Sequence, residues 1–337
     1  MKFLQAAAML RSRERLAAGI VGALACLILA TGAQADTKLR FGFTVHMDGP
    51  GGLAAQKLAK TVEELTHGEV TVTLFPDGQL GGDVDLTAAV RAGNVDIALV
   101  GTGAASSAVA PALQVTVLPF IWKSRDTFWS TVTGPVGDKL LGTLDGAGIK
   151  GLAFGTFGER GFITKGFAVN GPDDLKGRKI RVTQSQVYLK TMEAMGANPV
   201  PLPYAEVYTA LQQGAVDGVE TSDWAMVEAK FYEVATDMSA ANHYIDSAVF
   251  LMNKAKFDAL TPDQQKAMIA AARAGGQTMF EEISKTTDSA IGVMEKAGLK
   301  ITHPDPAKFT PVIAPVYKMV ADDVGQDLID EVIAAQK

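Results

Sequence analysis

Tyr204-Ala205-Glu206-Val207-Tyr208-Thr209-Ala210-Leu211-Gln212-Gln213-Gly214-Ala215-Val216-Asp217-Gly218-Val219-Glu220 reads as a helix over 204–213, a left-handed stop at Gly214 and a strand begun by Val216. The same unit stands earlier in the chain. There a helix over Asp85–Ala92 runs into Gly93-Asn94-Val95-Asp96, and a buried strand over Val95–Val100 ends at Gly101-Thr102-Gly103. A helix, a G-x-V-D step and a strand in both halves point to two related α/β lobes facing each other across a cleft. In such sheets ligands sit beyond the carboxyl ends of the strands. That rule selects Thr102 in one lobe and Glu220, Thr221 and Ser222 in the other.

Outward from these two units the strand–helix alternation continues. Lys38–Val45 alternates apolar and polar residues and reads as a strand, as does Glu69–Phe75 before the Pro76-Asp77-Gly78 turn. Between them Leu53–Leu65 carries a helical apolar stripe closed by Gly68. This order argues for α/β layers with a partly parallel sheet. Thr261-Pro262-Asp263-Gln264 is a capping box with Pro at the first helical position. The helical pattern then persists to Lys296, a length of about 50 Å, enough to brace both lobes, with a bend expected at Gly275-Gly276. A last helix over Pro315–Val324 and a short tail end the chain.

The first 35 residues read as an address. Lys2, Arg11, Arg13 and Arg15 precede an apolar run from Leu16 to Ala30, and Ala33-Gln34-Ala35 offers a cleavage site; these are the three regions of a secretory signal peptide. The run is shorter than the roughly 20 residues that a spanning helix needs. Removing four basic residues and Glu14 from totals of 31 and 37 leaves 27 basic and 36 acidic residues, a net charge of −9, and also removes Cys26, the single cysteine. The expected mature protein is periplasmic and cysteine-free. Its acidity argues against a nucleic-acid partner.

The four histidines are scattered and no cysteine assists them, so neither a metal site nor another cofactor is expected. No G-x-S-x-G elbow or phosphate-binding loop is present. What stands out is Lys176-Gly177-Arg178-Lys179-Ile180-Arg181-Val182 in an acidic chain. A strand entering the sheet carries Arg181 inward, and an inward guanidinium without a carboxylate partner calls for a ligand anion. Its planar fork suits a carboxylate. Arg160, in Gly158-Glu159-Arg160-Gly161, taken alone reads as a surface residue on an exposed turn, paired with Glu159.

Several blocks carry a family resemblance. Phe75-Pro76-Asp77-Gly78-Gln79-Leu80-Gly81, Leu118-Pro119-Phe120, Pro172-Asp173-Asp174-Leu175-Lys176-Gly177-Arg178-Lys179-Ile180-Arg181, Met195-Gly196-Ala197-Asn198-Pro199 and the opening stretch through Glu220 resemble, in order, the DctP-type solute-binding subunits of tripartite ATP-independent periplasmic (TRAP) transporters. The resemblance implies a type II periplasmic-binding-protein fold, two α/β lobes with hinge strands and a long helix spanning both. It implies lobe 1 over 36–156 and 247–286, and lobe 2 over 157–246 and 287–337. Arg181 matches the arginine that fixes the ligand carboxylate, and Arg160 a second, less uniform one. Thr221 stands where many members carry Asn, and its hydroxyl offers one donor where an amide offers two.

Contacts from lobe 1 are expected from Thr102 and His46. Phe157 and Trp224 are candidates for an apolar wall, with core packing the alternative. Little positive charge stands near the lobe 1 strand ends, so the expected ligand is an organic acid, anionic at one end and neutral or polar at the other. The resemblance implies capture without catalysis by a monomer, and delivery to membrane permease subunits. The alternatives are a binding protein for an ATP-driven importer, a receptor for a sensor kinase, or a periplasmic enzyme acting on carboxylates.

Overall fold

The computed structural model describes residues 36–336, and the expected leader and its cleavage site lie outside them. One mixed sheet organises the chain. Its strands are β1 (Thr37–Phe43), β2 (Val70–Phe75), β3 (Ile97–Gly101), β4 (Ile149–Thr164), β5 (Lys179–Val182), β6 (Asn198–Pro201), β7 (Gly218–Ser222), β8 (Asp237–Asn253) and β9 (Lys300–Thr302). They lie in the order β2-β1-β3-β8-β4-β7-β5-β6, with β9 beside β8. Short parallel strands flank a central antiparallel ribbon of two long ones. β3 pairs with the carboxyl-terminal end of β8, Gly101 opposite Ala248, and β7 pairs with the end of β4, Arg160 opposite Ser222. The type II binding fold expected from the sequence is therefore present, with β4 and β8 running through both halves.

The ribbon is irregular where it passes between the halves. Its register shifts between Thr156 and Gly158 and again between Arg160 and Phe162. Gly158 has φ 77°, and a Cβ there would stand 2.7 Å from Ile283 Cγ2. Both the backbone conformation and the contact therefore require glycine. The two sequence repeats end as their spacing predicts, with Gly93 at φ 77° and Gly214 at φ 74°.

The helix Pro262–Lys296 is continuous over 35 residues and opens with the expected capping box: Thr261 Oγ1 accepts from Gln264 N, and Gln264 Oε1 accepts from Thr261 N. Met268, Ala271, Met279 and Ile283 from its first two-thirds join the core under β1 and β3. Ala290 and Met294 join a separate core with Val219 and Met238. The helix runs unbroken through Gly275-Gly276, where a bend was expected. A Cβ at Gly275 would stand 2.8 Å from Ala54 O, and one at Gly276 2.2 Å from Phe154 O, so these glycines admit neighbouring backbone. The expected carboxyl-terminal tail is also corrected. After Ala314–Val324 comes a second helix, Gln326–Ala335, which buries Ile329 and Val332. Gln336 then ties its end to Ile121 O and Lys123 N.

Candidate functional site

A cavity lies between the two groups of strand ends. From the β1–β3 side come Thr44, Asp83 and Gly101; from the β5–β7 side come Arg181, Gln184, Tyr204, Thr221, Ser222 and Trp224. The central ribbon supplies Phe157, Arg160 and Asp246. Phe157 and Trp224 stack with their rings 6.3 Å apart at 22°, and Trp224 Nε1 donates to Phe157 O. Both expected roles are thus combined: the pair is packed and also forms an apolar wall of the cavity.

Arg181 is carried inward on β5, as expected of a strand entering the sheet, and is buried. Its Nε and Nη2 donate to Leu202 O at 3.1 and 2.7 Å. Among the described residues it forms no ion pair with a carboxylate, and Nη1 has no protein acceptor. Burial, and then the nearby charge of Arg160, press its pKa down to about 10. It remains a cation at neutral pH, held in an unfavourable place.

Arg160 is in a different situation. It belongs to β4, is buried, and does not pair with Glu159, which binds Arg125 instead at 2.9 Å. The surface-turn alternative fails because the long β4 strand continues through Gly158-Glu159-Arg160 into the ribbon. Arg160 Nε and Nη2 donate to the two oxygens of Glu220 at 2.5 and 2.8 Å. Nη1 donates to Asp246 Oδ2 at 2.5 Å, and the guanidinium lies 4.8 Å over the Tyr188 ring. Tyr188 OH donates to Asp246 Oδ1 at 2.6 Å. Burial works to raise the pKa of Glu220, but the Arg160 charge overrides it and holds the carboxyl at about 2. His243, stacked flat on Phe162, closes the far side of Glu220 at 3.4 Å.

Thr221 and Ser222 line the cavity beside both arginines, but three of the other expected residues do not. Glu220 is turned into the Arg160 pair and serves as its counter-ion. Thr102 is buried behind the cavity, where its hydroxyl bonds Thr116 and Ser247; the adjacent Gly101, Gly103 and Ala104 line the cavity in its place. His46 is half-exposed and paired with Asp77, which, with smaller help from neighbouring carboxylates, raises its pKa. Strand ends were located correctly, but side-chain direction at the first helical residue was not.

Sequence reasoning missed Asp83, Tyr188 and Tyr204. Asp83 Oδ1 accepts from Thr44 Oγ1 at 3.1 Å and Oδ2 from Gly101 N at 3.0 Å, and burial pushes its pKa up. Tyr188 reaches the cavity because residue 103 is glycine: a Cβ there would stand 2.8 Å from its ring. The one available sequence signal was Asp83 itself, acidic and two residues past the Gly81 turn. Among the described residues no cluster of three or more His, Cys, Asp or Glu could hold a metal ion, and no helix is long and apolar enough to cross a membrane.

Comparison with known proteins agrees with this geometry. Residues 41–323 match the model for bacterial extracellular solute-binding protein, family 7. The chain is 32% identical over 311 residues to the 2,3-diketo-L-gulonate-binding periplasmic protein YiaO of Escherichia coli, covering 91% of this chain and 94% of that one. It is 30% identical over 329 residues to the C4-dicarboxylate-binding periplasmic protein DctP of Rhodobacter capsulatus, covering 96% and 98%. Its fold superposes with TM-score 0.85 on a TRAP periplasmic solute-binding protein of Roseobacter denitrificans with bound β-D-glucuronate. That structure is 29% identical, with 88% of this chain and 99% of that one covered.

Proposed function

Because the chain belongs to bacterial extracellular solute-binding protein family 7, as a TRAP-type member, we propose that it captures a hydroxylated monocarboxylate of the sugar-acid class and hands it to membrane permease subunits without chemical change. The observation that carries this reading is Arg181, a buried guanidinium with no carboxylate of its own, beside Thr221 and Ser222. The ligand carboxylate binds its free Nη1 and Nη2 edge. Arg160, neutralised by Glu220 and Asp246, forms the rigid floor behind it. At the opposite wall Asp83 and Thr44 accept from and donate to hydroxyls, and the Phe157–Trp224 pair covers the carbon skeleton.

Asp83 also disfavours a second acidic group. A dicarboxylate reaching that wall would bring its distal charge against a carboxyl, and like charges at such range in a low dielectric repel strongly. Relatives include binders of both 2,3-diketo-L-gulonate and C4-dicarboxylates, so this wall is the discriminating element here. On this proposal the lobes take the boundaries implied by the resemblance, 36–156 with 247–286 and 157–246 with 287–337. In this reading the protein works as a monomer, and residues 1–35 are removed on export to the periplasm.

Thermal shift followed by calorimetry tests the reading, using D-glucuronate, D-galacturonate, D-galactonate, succinate and malate at equal concentration. Binding stabilises by mass action, and the sugar acids should raise the melting temperature while the C4-dicarboxylates do not. Stabilisation by succinate alone would overturn the assigned class. Turnover of a bound acid would overturn capture without chemistry.

A further inference from the structure

Outside the cavity lining, at its mouth, Glu228 ends the short helix Asp223–Glu228 and reaches across to the loop that follows β1. Its carboxyl lies against Gly49, where a Cβ would stand 2.3 Å from Oε1. Gly49 is the residue from which the helix Pro50–Leu65 starts. A side chain from the β7 side is thus pressed onto backbone of the β1 side, and only glycine leaves it room.

The environment of this carboxyl is poor for a charge. Oε1 is sealed from solvent and has no hydrogen-bond partner. Oε2 accepts a long bond, 3.3 Å, from Tyr204 OH, and the His46 backbone N–H also faces the carboxyl. His46, the basic residue of the facing loop, is paired with Asp77 instead. The titratable groups acting on Glu228 are His46 and Asp48 from the loop after β1 and Tyr204 from the segment after β6, with Asp77 acting through His46. A largely buried carboxylate with one oxygen unpartnered and no ion pair is costly, and the cheapest remedy is a proton. Separating the halves would return Glu228 to water and to the ordinary range of a glutamate.

We propose that Glu228 is a proton-holding latch: closing the cleft over the ligand takes up a proton on its carboxyl, so the ligand is held more tightly at pH 6 than at pH 8. This rests on the capture reading above. The sign follows from linkage. In the closed arrangement burial raises the Glu228 pKa to about 7, against the partial opposition of His46. A group whose pKa rises on closure favours closure as pH falls through that value. From pH 8 to pH 6 the affinity gain is about tenfold.

Two experiments separate this proposal from the capture reading. The first needs no ligand. A Cβ at Gly103 would stand 3.2 Å from Ser185 Cβ but 2.8 Å from the Tyr188 ring, so Gly103→Cys with Ser185→Cys, in a Tyr188→Leu and Cys26→Ser background that removes that ring, joins the halves by a disulfide. A ¹³C-glutamate spectrum of the oxidised protein, assigned by difference from the same protein carrying Glu228→Gln, should give a Glu228 midpoint near 7. Reduction should move it down, and His46→Gln in the oxidised protein should move it up. An ordinary midpoint in the oxidised protein overturns the latch.

The second experiment is calorimetry with D-glucuronate at pH 6 and pH 8 in buffers of different ionisation enthalpy. Wild type should bind about tenfold tighter at pH 6, taking up about one proton there and very little at pH 8. Glu228→Gln should keep tight binding at both values and lose most of the uptake. An identical pH profile in wild type and Glu228→Gln also overturns the latch. Failure of D-glucuronate to bind at either pH would count against the ligand class instead, leaving the locked-protein midpoint to judge the latch.

Discussion

The two buried arginines should respond to the same substitution with opposite signs. Replacing Arg181 by Met keeps the apolar stem and removes the charge. Its pKa, lowered to about 10 by burial and then by Arg160, corresponds to about 3 kcal/mol of disfavoured charge. The loss is the pair of bonds to Leu202 O, about 1–2 kcal/mol when the carbonyl is left unpaired. Without ligand, Arg181→Met should therefore be about 1–2 kcal/mol more stable than wild type. Arg160→Met strands the buried Glu220 and Asp246 carboxyls and should lose about 3–5 kcal/mol. Guanidinium chloride unfolding without ligand measures both, as midpoint shifts at unchanged slope.

The same Arg181→Met protein should lose roughly 10²–10⁴-fold in affinity for its acid, the equivalent of two charge-assisted bonds. Greater stability with lost binding marks a residue kept for its ligand. If Arg181→Met instead unfolds as easily as Arg160→Met, the guanidinium has a structural partner and the assignment of the carboxylate site is wrong.

Three further outcomes follow from particular contacts. Glu220, held at about 2 mainly by Arg160 against the burial that opposes it, contributes about 3 kcal/mol above its unfolded pKa. That stability is lost as pH falls through the range from about 4.5 to 2, so acid unfolding of Glu220→Gln, compared at matched ionic strength, should have a shallower limb; an unchanged limb would contradict the pair. Gly276→Ala must displace Phe154 O from 2.2 Å and should lower the melting temperature by several degrees. Gly292→Ala in the same helix meets nothing within 4 Å and should gain about 0.5–1 kcal/mol, and equal effects at the two sites would refute the close-approach account. Thr102→Val should cost about 1–2 kcal/mol by breaking the bonds to Thr116 and Ser247 while changing ligand affinity less than twofold in a calorimetric titration; a larger loss would restore Thr102 to the site.

What could be read from the chain alone was local. The two G-x-V-D steps and the Thr261 capping box are short-range signals that tertiary packing did not overrule, and the entry of the 179–182 strand into the sheet was enough to carry Arg181 inward. What could not be read depends on partners distant in sequence. Arg160 finds Glu220 and Asp246, 60 and 86 residues away, and no pattern near Arg160 announces either. Asp83 and Tyr204 reach the cavity from the first residues of a helix and of a 3₁₀ segment, whose placement the sheet decides. Gly275-Gly276 shows the limit most plainly, because paired glycines in a helix signal either a bend or a close approach, and only the positions of Ala54 and Phe154 distinguish the two.

The shared ribbon also bears on the order in which the molecule can be assembled. The core beneath β1 and β3 requires Phe250 and Met252 of β8 and Met268 and Met279 of the long helix. The core around Val219 requires Met238, Met294 and Leu299. Neither can be completed by a nascent amino-terminal portion, because both wait for sequence beyond residue 250. Pairings of such long range delay folding. A polypeptide built this way stays threadable until nearly all of it has emerged, which suits the export proposed above.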